Sequence, residues 1–184
     1  MRVIAGTAKG TRLKTLEGLD VRPTTDRVKE GMFSAIQFQI PGADVLDLFA
    51  GSGQLGIEAL SRGANHVVFV DQSSKSLEIV RENLEKTRFL EKSALYHQSA
   101  ERFLSACSPE CFDLMFLDPP YRKQILEKII PDLSALLRPG GKIIAEHEIN
   151  CILPEEISNL ILQKKYFHGK IVVSVFSKIN KEET

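Results

Sequence analysis

The sequence predicts an α/β protein: a doubly wound, mostly parallel sheet closed by an antiparallel C-terminal hairpin. Three observations carry this. From Asp44 onward, short apolar runs alternate with amphipathic segments, the pattern of successive βα units. The run FDLMFLD is nearly all apolar, as expected of a parallel strand covered on both faces. Near the end, KKYFHGKIVVSVFSKI reads as two strands joined at His168-Gly169.

Each element has its own local reason. RVIA and TRLKT alternate and are separated by Gly6 and Gly10, which predicts a small β-hairpin. RPTTDRVKEGMFSAIQF opens a helix at Pro23 and the Thr24/Thr25 pair. Val28, Met32 and Ile36 give that helix one apolar face, and Pro41-Gly42 ends it. DVLDLF is then a first strand of the sheet. GQLGIEALSRG is a helix stopped by Gly63, and HVVFVD a second strand. SKSLEIVRENLEKTRF is an amphipathic helix with Leu77, Val80 and Leu84 on its apolar side. ALYHQ is a third strand, AERFLSAC a helix and FDLMFLD the fourth strand. KQILEKIIPDLSALL is a helix broken or kinked near Pro131, and Gly140-Gly141 leads into a fifth strand, KIIAEHEI. A short helix is expected after Pro154, and the tail NKEET reads as frayed.

Composition narrows the class. A chain of 184 residues suggests one domain, with residues 1–42 as an N-terminal extension and 43–184 as the core. Hydrophobic residues make up 43% and charged residues 26%, ordinary for a soluble protein. No apolar run is long enough to span a membrane, and MRVIAGTAKG lacks the apolar region of a secretory signal. A cytoplasmic protein without an obligate protein partner is therefore expected. The odd set Cys107, Cys111 and Cys151 suits reduced thiols. Cys107 and Cys111 lack a second ligand pair, so no metal is expected.

Net charge is zero, so no global field draws in a polyanion. The distribution is uneven. Residues 1–16 hold Arg2, Lys9, Arg12 and Lys14 and no acid; Arg22, Arg27 and Lys29 follow. A solvated basic face is the ordinary explanation. Arg12, Lys14, Arg22 and Arg27 become candidate phosphate contacts if they lie beside an active site.

Gly51-Ser52-Gly53-Gln54-Leu55-Gly56 is a G-x-G-x-x-G loop, with Asp71 following at the end of the next strand. That spacing suits a dinucleotide, or another adenosine cofactor, at the carboxyl end of the strands. Asp47 separates the two. It interrupts an apolar strand, where an unpaired carboxylate is costly. A pyrophosphate wants bare N–H groups. S-adenosylmethionine carries a sulfonium and an ammonium instead, and benefits from a carboxylate. Asp71 suits the ribose hydroxyls of either.

The chemistry-bearing stretch is LDPPY, directly after the fourth strand. Pro119 and Pro120 remove two N–H donors and leave carbonyl acceptors. Asp118 adds a carboxylate and Tyr121 a flat ring. The set fits a planar exocyclic amine, bonded to two acceptors and stacked on an aromatic. Such bonds would aim the amine lone pair at a methyl donor, and Asp118 would take the released proton.

DLFAGSG, VFVD and DPPY resemble the motifs of class I amino-methyltransferases. The opening MRVIAGTAKGTRL, the segment RPTTDRVKEGMF and the late EH after RPGGKIIA resemble the bacterial RsmD family, the 16S rRNA (guanine-N2)-methyltransferases. The likeness is collinear over essentially the whole chain. It implies a Rossmann-like, seven-stranded catalytic core, S-adenosylmethionine as methyl donor and 16S rRNA as partner; because the basic patch is small, a small-subunit particle is expected to be a better substrate than naked RNA. It carries the cofactor motif onto Asp47, Phe49, Ala50, Gly51, Gly53 and Asp71. It carries the catalytic motif onto Asp118, Pro119, Pro120 and Tyr121. Where similar enzymes place Asp or Asn against the adenine, this chain has Ser99 followed by Ala100. DPPY is shared with DNA adenine and protein glutamine N-methyltransferases, so those substrates are alternatives. An NAD-dependent oxidoreductase and an inactive RNA-binding assembly factor are further ones, disfavoured by Asp47 and by the intact Asp118 and Tyr121.

Overall fold

A computed structural model describes residues 1–16, 26–120 and 125–179. Arg22 and Tyr121 lie outside the described residues, and Arg27 is described in its backbone only.

Among the described residues five α-helices, α1 (Asp26–Ala35), α2 (Gln54–Ser61), α3 (Ser74–Thr87), α4 (Ala100–Ala106) and α5 (Ile125–Leu136), and one 3-10 turn, Leu90–Lys92, pack on an eight-stranded sheet. The strands are β1 (Asp44–Leu48), β2 (His66–Asp71), β3 (Ser93–His97), β4 (Phe112–Leu117), β5 (Leu137–Glu148), β6 (Glu156–Ile157), β7 (Leu160–His168) and β8 (Ile171–Lys178). Their order is β3-β2-β1-β4-β5-β8-β7-β6. The first five strands run parallel, and β8 pairs antiparallel with both β5 and β7. The doubly wound sheet with its closing hairpin is thus as the sequence predicts. Chain order reverses between β1 and β4, which opens a crevice at their carboxyl ends.

The core divides by strand alternation. Val45, Val67, Phe69, Leu114, Phe116 and Ile144 face one side with residues of α1, α2 and α3. Leu46, Leu48, Met115, Leu117, Ile143 and Ala145 face the other with α4 and α5. Every residue of β4 is buried except the half-buried Asp113, in keeping with its unbroken apolar sequence. Among the described residues no helix is long and apolar enough to cross a membrane.

Two expectations need correcting. The segment after Pro154 is the short strand β6, which turns through Ser158 (φ 57°) into β7. An isolated helix this short has too few bonds to offset nucleation, while the turn lets Leu160 reach the core. The sheet accordingly has eight strands where seven are implied. Second, β5 starts at Leu137, before the Gly140-Gly141 pair. Its pairing with β4 jumps from Phe112–Leu137 to Leu114–Lys142, so residues 138–141 bulge out. Pro131, where a break or kink is expected, sits inside α5.

The N-terminal residues form a small antiparallel hairpin, joined by one bridge between Arg2 and Arg12. Val3 and Leu13 enter the core from it. Its anchor is Glu58 of α2, a fully buried carboxylate. Glu58 accepts from the N–H groups of Ile4 (2.8 Å) and Ala5 (3.0 Å) and from Arg62 Nε (2.8 Å). The fully buried Lys29 ammonium lies 3.6 Å away and donates to the Arg2 carbonyl at 2.7 Å. Gly6 lies so close to α2 that a Cβ would stand 1.7 Å from the Ser61 carbonyl oxygen. Asn83 of α3 completes the seat. It bonds both backbone groups of Lys14 and donates to the Ser52 carbonyl in the glycine loop (2.9 Å).

Candidate active site

The site is built at the carboxyl ends of β1, β2 and β4. β1 ends at Leu48, and the chain turns sharply through Phe49, which holds φ 74°. A non-glycine residue there stores strain of about 1–3 kcal/mol, as functional loops often do. The N–H groups of Phe49 and Ala50 both donate to the Val70 carbonyl at 3.0 Å, locking the turn onto β2. Gly51 (φ 55°) and Gly53 (φ 75°) follow, and Gly53 caps α2. Gly56 has a different task. A Cβ there would stand 2.3 Å from the Phe69 ring, so glycine lets α2 lie close on β2.

Two carboxylates hold this loop. Asp71 accepts from Gly51 N–H at 2.9 Å and Ser73 N–H at 2.8 Å, one on each oxygen. About two of its four lone-pair sites are left over, enough for a diol. Asp47 is buried in β1 and accepts from Gly56 N–H at 2.9 Å. Burial, with a smaller push from Asp71, lifts its pKa to about 7, against the lowering effect of the Gly56 bond. In the same loop, Gln54 has a buried Oε1 with no hydrogen-bond partner among the described residues.

Asp118 follows Leu117, which pairs with Leu48 on one side and Ala145 on the other. Glu146, next after Ala145, is therefore its cross-strand neighbour, and it is buried. Burial first, then the charges of Glu146 and Asp47, raise the Asp118 carboxyl well above the ordinary carboxylate range. Three acids thus share one crevice and feel one another. Pro119 is buried and Pro120 exposed. His147, on the opposite face of β5 from Glu146, is fixed by Ser174 Oγ at Nε2 (2.8 Å) and by the Glu148 carbonyl at Nδ1 (2.9 Å). Burial holds its pKa below the usual imidazole value.

Ser99 and Ala100 stand after β3, beside Asp71, whose carbonyl accepts from Gln98 N–H at 3.2 Å. The Ser99 hydroxyl is already used as the N-cap of α4, accepting from Arg102 N–H. The Ala100 N–H, in the first turn of α4, is the better-placed donor of the two. Arg12 and Lys14 are exposed on the hairpin. Lys14 Nζ pairs with Glu82 at 2.8 Å, and the Arg12 carbonyl accepts from Lys86.

Asp47, Phe49, Ala50, Gly51, Gly53, Asp71 and Asp118 thus come together, with Ser99 and Ala100 at the rim. Sequence reasoning assigned no task to Glu146, although an acid in the apolar run KIIAEHEI carries the same signal as Asp47 in DVLDLF. It also missed Glu58, Lys29 and Asn83, whose partners lie far along the chain.

The family model described as "Conserved hypothetical protein 95" matches residues 1–177. A Bacillus subtilis protein named "Putative rRNA methyltransferase YlbH" is 42% identical over 182 residues, covering 97% of this chain and 99% of that protein. "Ribosomal RNA small subunit methyltransferase D" of Haemophilus influenzae is 37% identical over 152 residues, 80% of this chain and 79% of its own. The solved structure of "Putative methyltransferase yhhF from Escherichia coli" matches with a TM-score of 0.87 at 31% identity, covering 97% of this chain and 98% of that one. With a family model spanning nearly its whole length and relatives of this similarity, the chain belongs to the Conserved hypothetical protein 95 family, the RsmD family of ribosomal RNA methyltransferases.

Proposed function

We propose that the protein is an S-adenosylmethionine-dependent methyltransferase acting on the exocyclic N2 amino group of a guanine in 16S rRNA. The observation that carries the reading is the position of Asp118-Pro119-Pro120 at the end of β4, beside the strained glycine loop, among buried acids. The names of the relatives support rRNA as the substrate.

The donor set favours this cofactor over a dinucleotide. Asp47, Asp118 and Glu146 make the crevice acidic, which opposes a pyrophosphate and suits a sulfonium and an ammonium. The buried Gln54 Oε1 is a further acceptor for a donor group. Asp71 would hold the ribose hydroxyls, the loop from Phe49 to Gly53 the amino-acid end, and Ala100 N–H the adenine edge. When bound, S-adenosylmethionine supplies an electrophilic methyl group. Asp118 and the Pro119 carbonyl accept the two N–H bonds of the target amine and orient its lone pair. Tyr121, outside the described residues, would stack on the base. Asp118 takes up the proton that leaves the amine, a task its raised pKa suits. Arg12, Lys14, Arg22 and Arg27 are the proposed phosphate contacts of the N-terminal extension. The basic patch is small, so a small-subunit particle should be a better substrate than naked RNA.

Mass mapping of ribosomal RNA from cells with and without the protein tests the function. One N2-methylguanine in 16S rRNA should be lost and should return with the wild-type gene. An unchanged 16S map would reject the rRNA assignment.

Cofactor affinity should depend on pH through Asp47. Its pKa is raised to about 7, so below that value the carboxyl is protonated and must ionise to face a cation. Affinity should therefore rise by up to about tenfold per unit as pH climbs from 6 to 7, then level off. Calorimetry in buffers of different ionisation enthalpy should show proton release near pH 6. Asp47→Asn should bind more weakly at pH 8 and lose this dependence. The same shift contributes folding stability that is fully present below the ordinary carboxylate pKa and fades as pH rises through about 7.

A further inference from the structure

We propose that the β7–β8 hairpin is a second RNA-contacting element: Lys165 and Lys170 hold phosphates flanking the target base, and Phe167 stacks on an unpaired base. The inference rests on reading the chain as an rRNA methyltransferase and adds a surface outside the N-terminal extension.

Position comes first. The strands β4, β5, β8 and β7 are neighbours in that order. Leu117 is level with Ala145, whereas the hairpin turn is level with the residues after Glu148, since Ile149 N–H donates to the Lys170 carbonyl at 2.9 Å. The turn therefore rises about 10 Å beyond the level of Asp118, at the same end of the strands. β7 stands three strand spacings, about 14 Å, to the side. A few nucleotides of single strand cover that distance. His168 packs near Gly31, so the hairpin also leans on α1.

Charge points the same way. From Ile157 to Lys178 the chain contains no acid. Lys165 and Lys170 make no ion pair among the described residues, whereas Lys14, Arg62 and Lys178 are each paired with a glutamate. Lys164 lies over the Tyr166 ring at 5.0 Å.

The ordinary explanation is edge protection. β6 covers β7 only through Leu160 and Ile161, and lysines on an open edge discourage strand addition. Phe167 does not fit that explanation. It is 63% exposed on the same stretch, and a bare phenyl ring invites association. Cations interleaved with an exposed ring are what a single-stranded RNA platform requires. A second copy docking edge to edge would oppose lysine to lysine.

The test uses the full chain, a fluorescein-labelled twelve-nucleotide oligouridine as binding probe, and small-subunit particles from cells lacking the enzyme as substrate. Phe167→Ala should weaken oligouridine binding roughly 5- to 150-fold, and Phe167→Tyr should restore it. Lys165→Ala with Lys170→Ala should lower the slope of log K against log salt by about 1.4. Both should raise KM for the particle with little change in kcat, and S-adenosylhomocysteine affinity should stay at the wild-type value. Variants that match wild type in RNA binding and KM would overturn the proposal, as would a wild-type dimer that the substitutions dissociate. A wild type that binds S-adenosylhomocysteine but methylates no particle would sink the rRNA reading itself, and this proposal with it.

Discussion

Asp118→Ala is expected to abolish methyl transfer, lowering kcat by roughly 10²–10⁴-fold, while cofactor affinity changes only a few fold. The side chain is one of two acceptors proposed for the target amine and the proposed proton acceptor, so its loss removes orientation and proton uptake together. Asp118→Asn should be nearly as inactive, because an amide keeps an acceptor oxygen but cannot take the proton. Folding should respond in the opposite direction. Burial, Glu146 and Asp47 all disfavour the Asp118 anion, so above the ordinary carboxylate pKa it destabilises the fold. Asp118→Asn should therefore melt at a higher temperature than wild type at pH 8, and the gain should shrink as pH falls toward 4. Turnover by single-turnover methylation and melting by calorimetry read the two effects separately. Wild-type turnover in either variant would make the loop structural.

Glu58→Gln is expected to lower stability strongly. The carboxylate is fully buried, accepts two hairpin N–H groups and faces both Lys29 and Arg62. Breaking a buried pair from one side costs about 3–5 kcal/mol, because the other charge stays desolvated. For a chain of this size that corresponds to a melting temperature lower by about 6–20 °C. Glu58→Gln keeps one acceptor for the hairpin, so Glu58→Ala should cost more. Proteolysis should then cut first within residues 1–16, since Glu58, with Ser61, ties that hairpin to α2. A melting temperature within 2–3 °C of wild type, roughly 1 kcal/mol, would show that Val3, Leu13 and the bonds to Ser61 and Asn83 hold the hairpin without Glu58.

The legible and illegible parts of this molecule differ by range. Local periodicity is enough to find each α-helix and strand from Asp44 to Gln98, because each βα unit writes its own apolar face; the 3-10 turn Leu90–Lys92 is too short to show a period. The segment at Ile157–Leu160 misleads because its apolar spacing suits a helix as well as a turn between two strands. In the site, Asp47 and Asp118 stand out as acids where an apolar residue is expected. Glu146 has the same anomaly, but only the register of β5 against β4 makes it a neighbour of Asp118. Ser99 has a double identity that sequence cannot resolve, since one hydroxyl serves a cap or a ligand and here caps α4. Glu58 and Lys29 look like surface charges at their spacing. Their burial follows from the hairpin folding back across them, 54 residues away from Glu58 at its first bond.

The seat of that hairpin also constrains the order of events during synthesis. Residues 1–14 emerge well before the groups that hold them, Glu58, Ser61 and Asn83. Until α2 is out, the leading segment has none of these groups to rest on and its backbone donors remain open; the seat is completed only when α3 brings Asn83. The same delay affects Ser52, whose carbonyl is tied to Asn83. The glycine loop therefore gains its last tie only when the third helix arrives, and β4 with Asp118 comes later still. Ligand capture on stalled chains should begin only once the third helix has cleared the exit tunnel, and earlier capture would contradict this order.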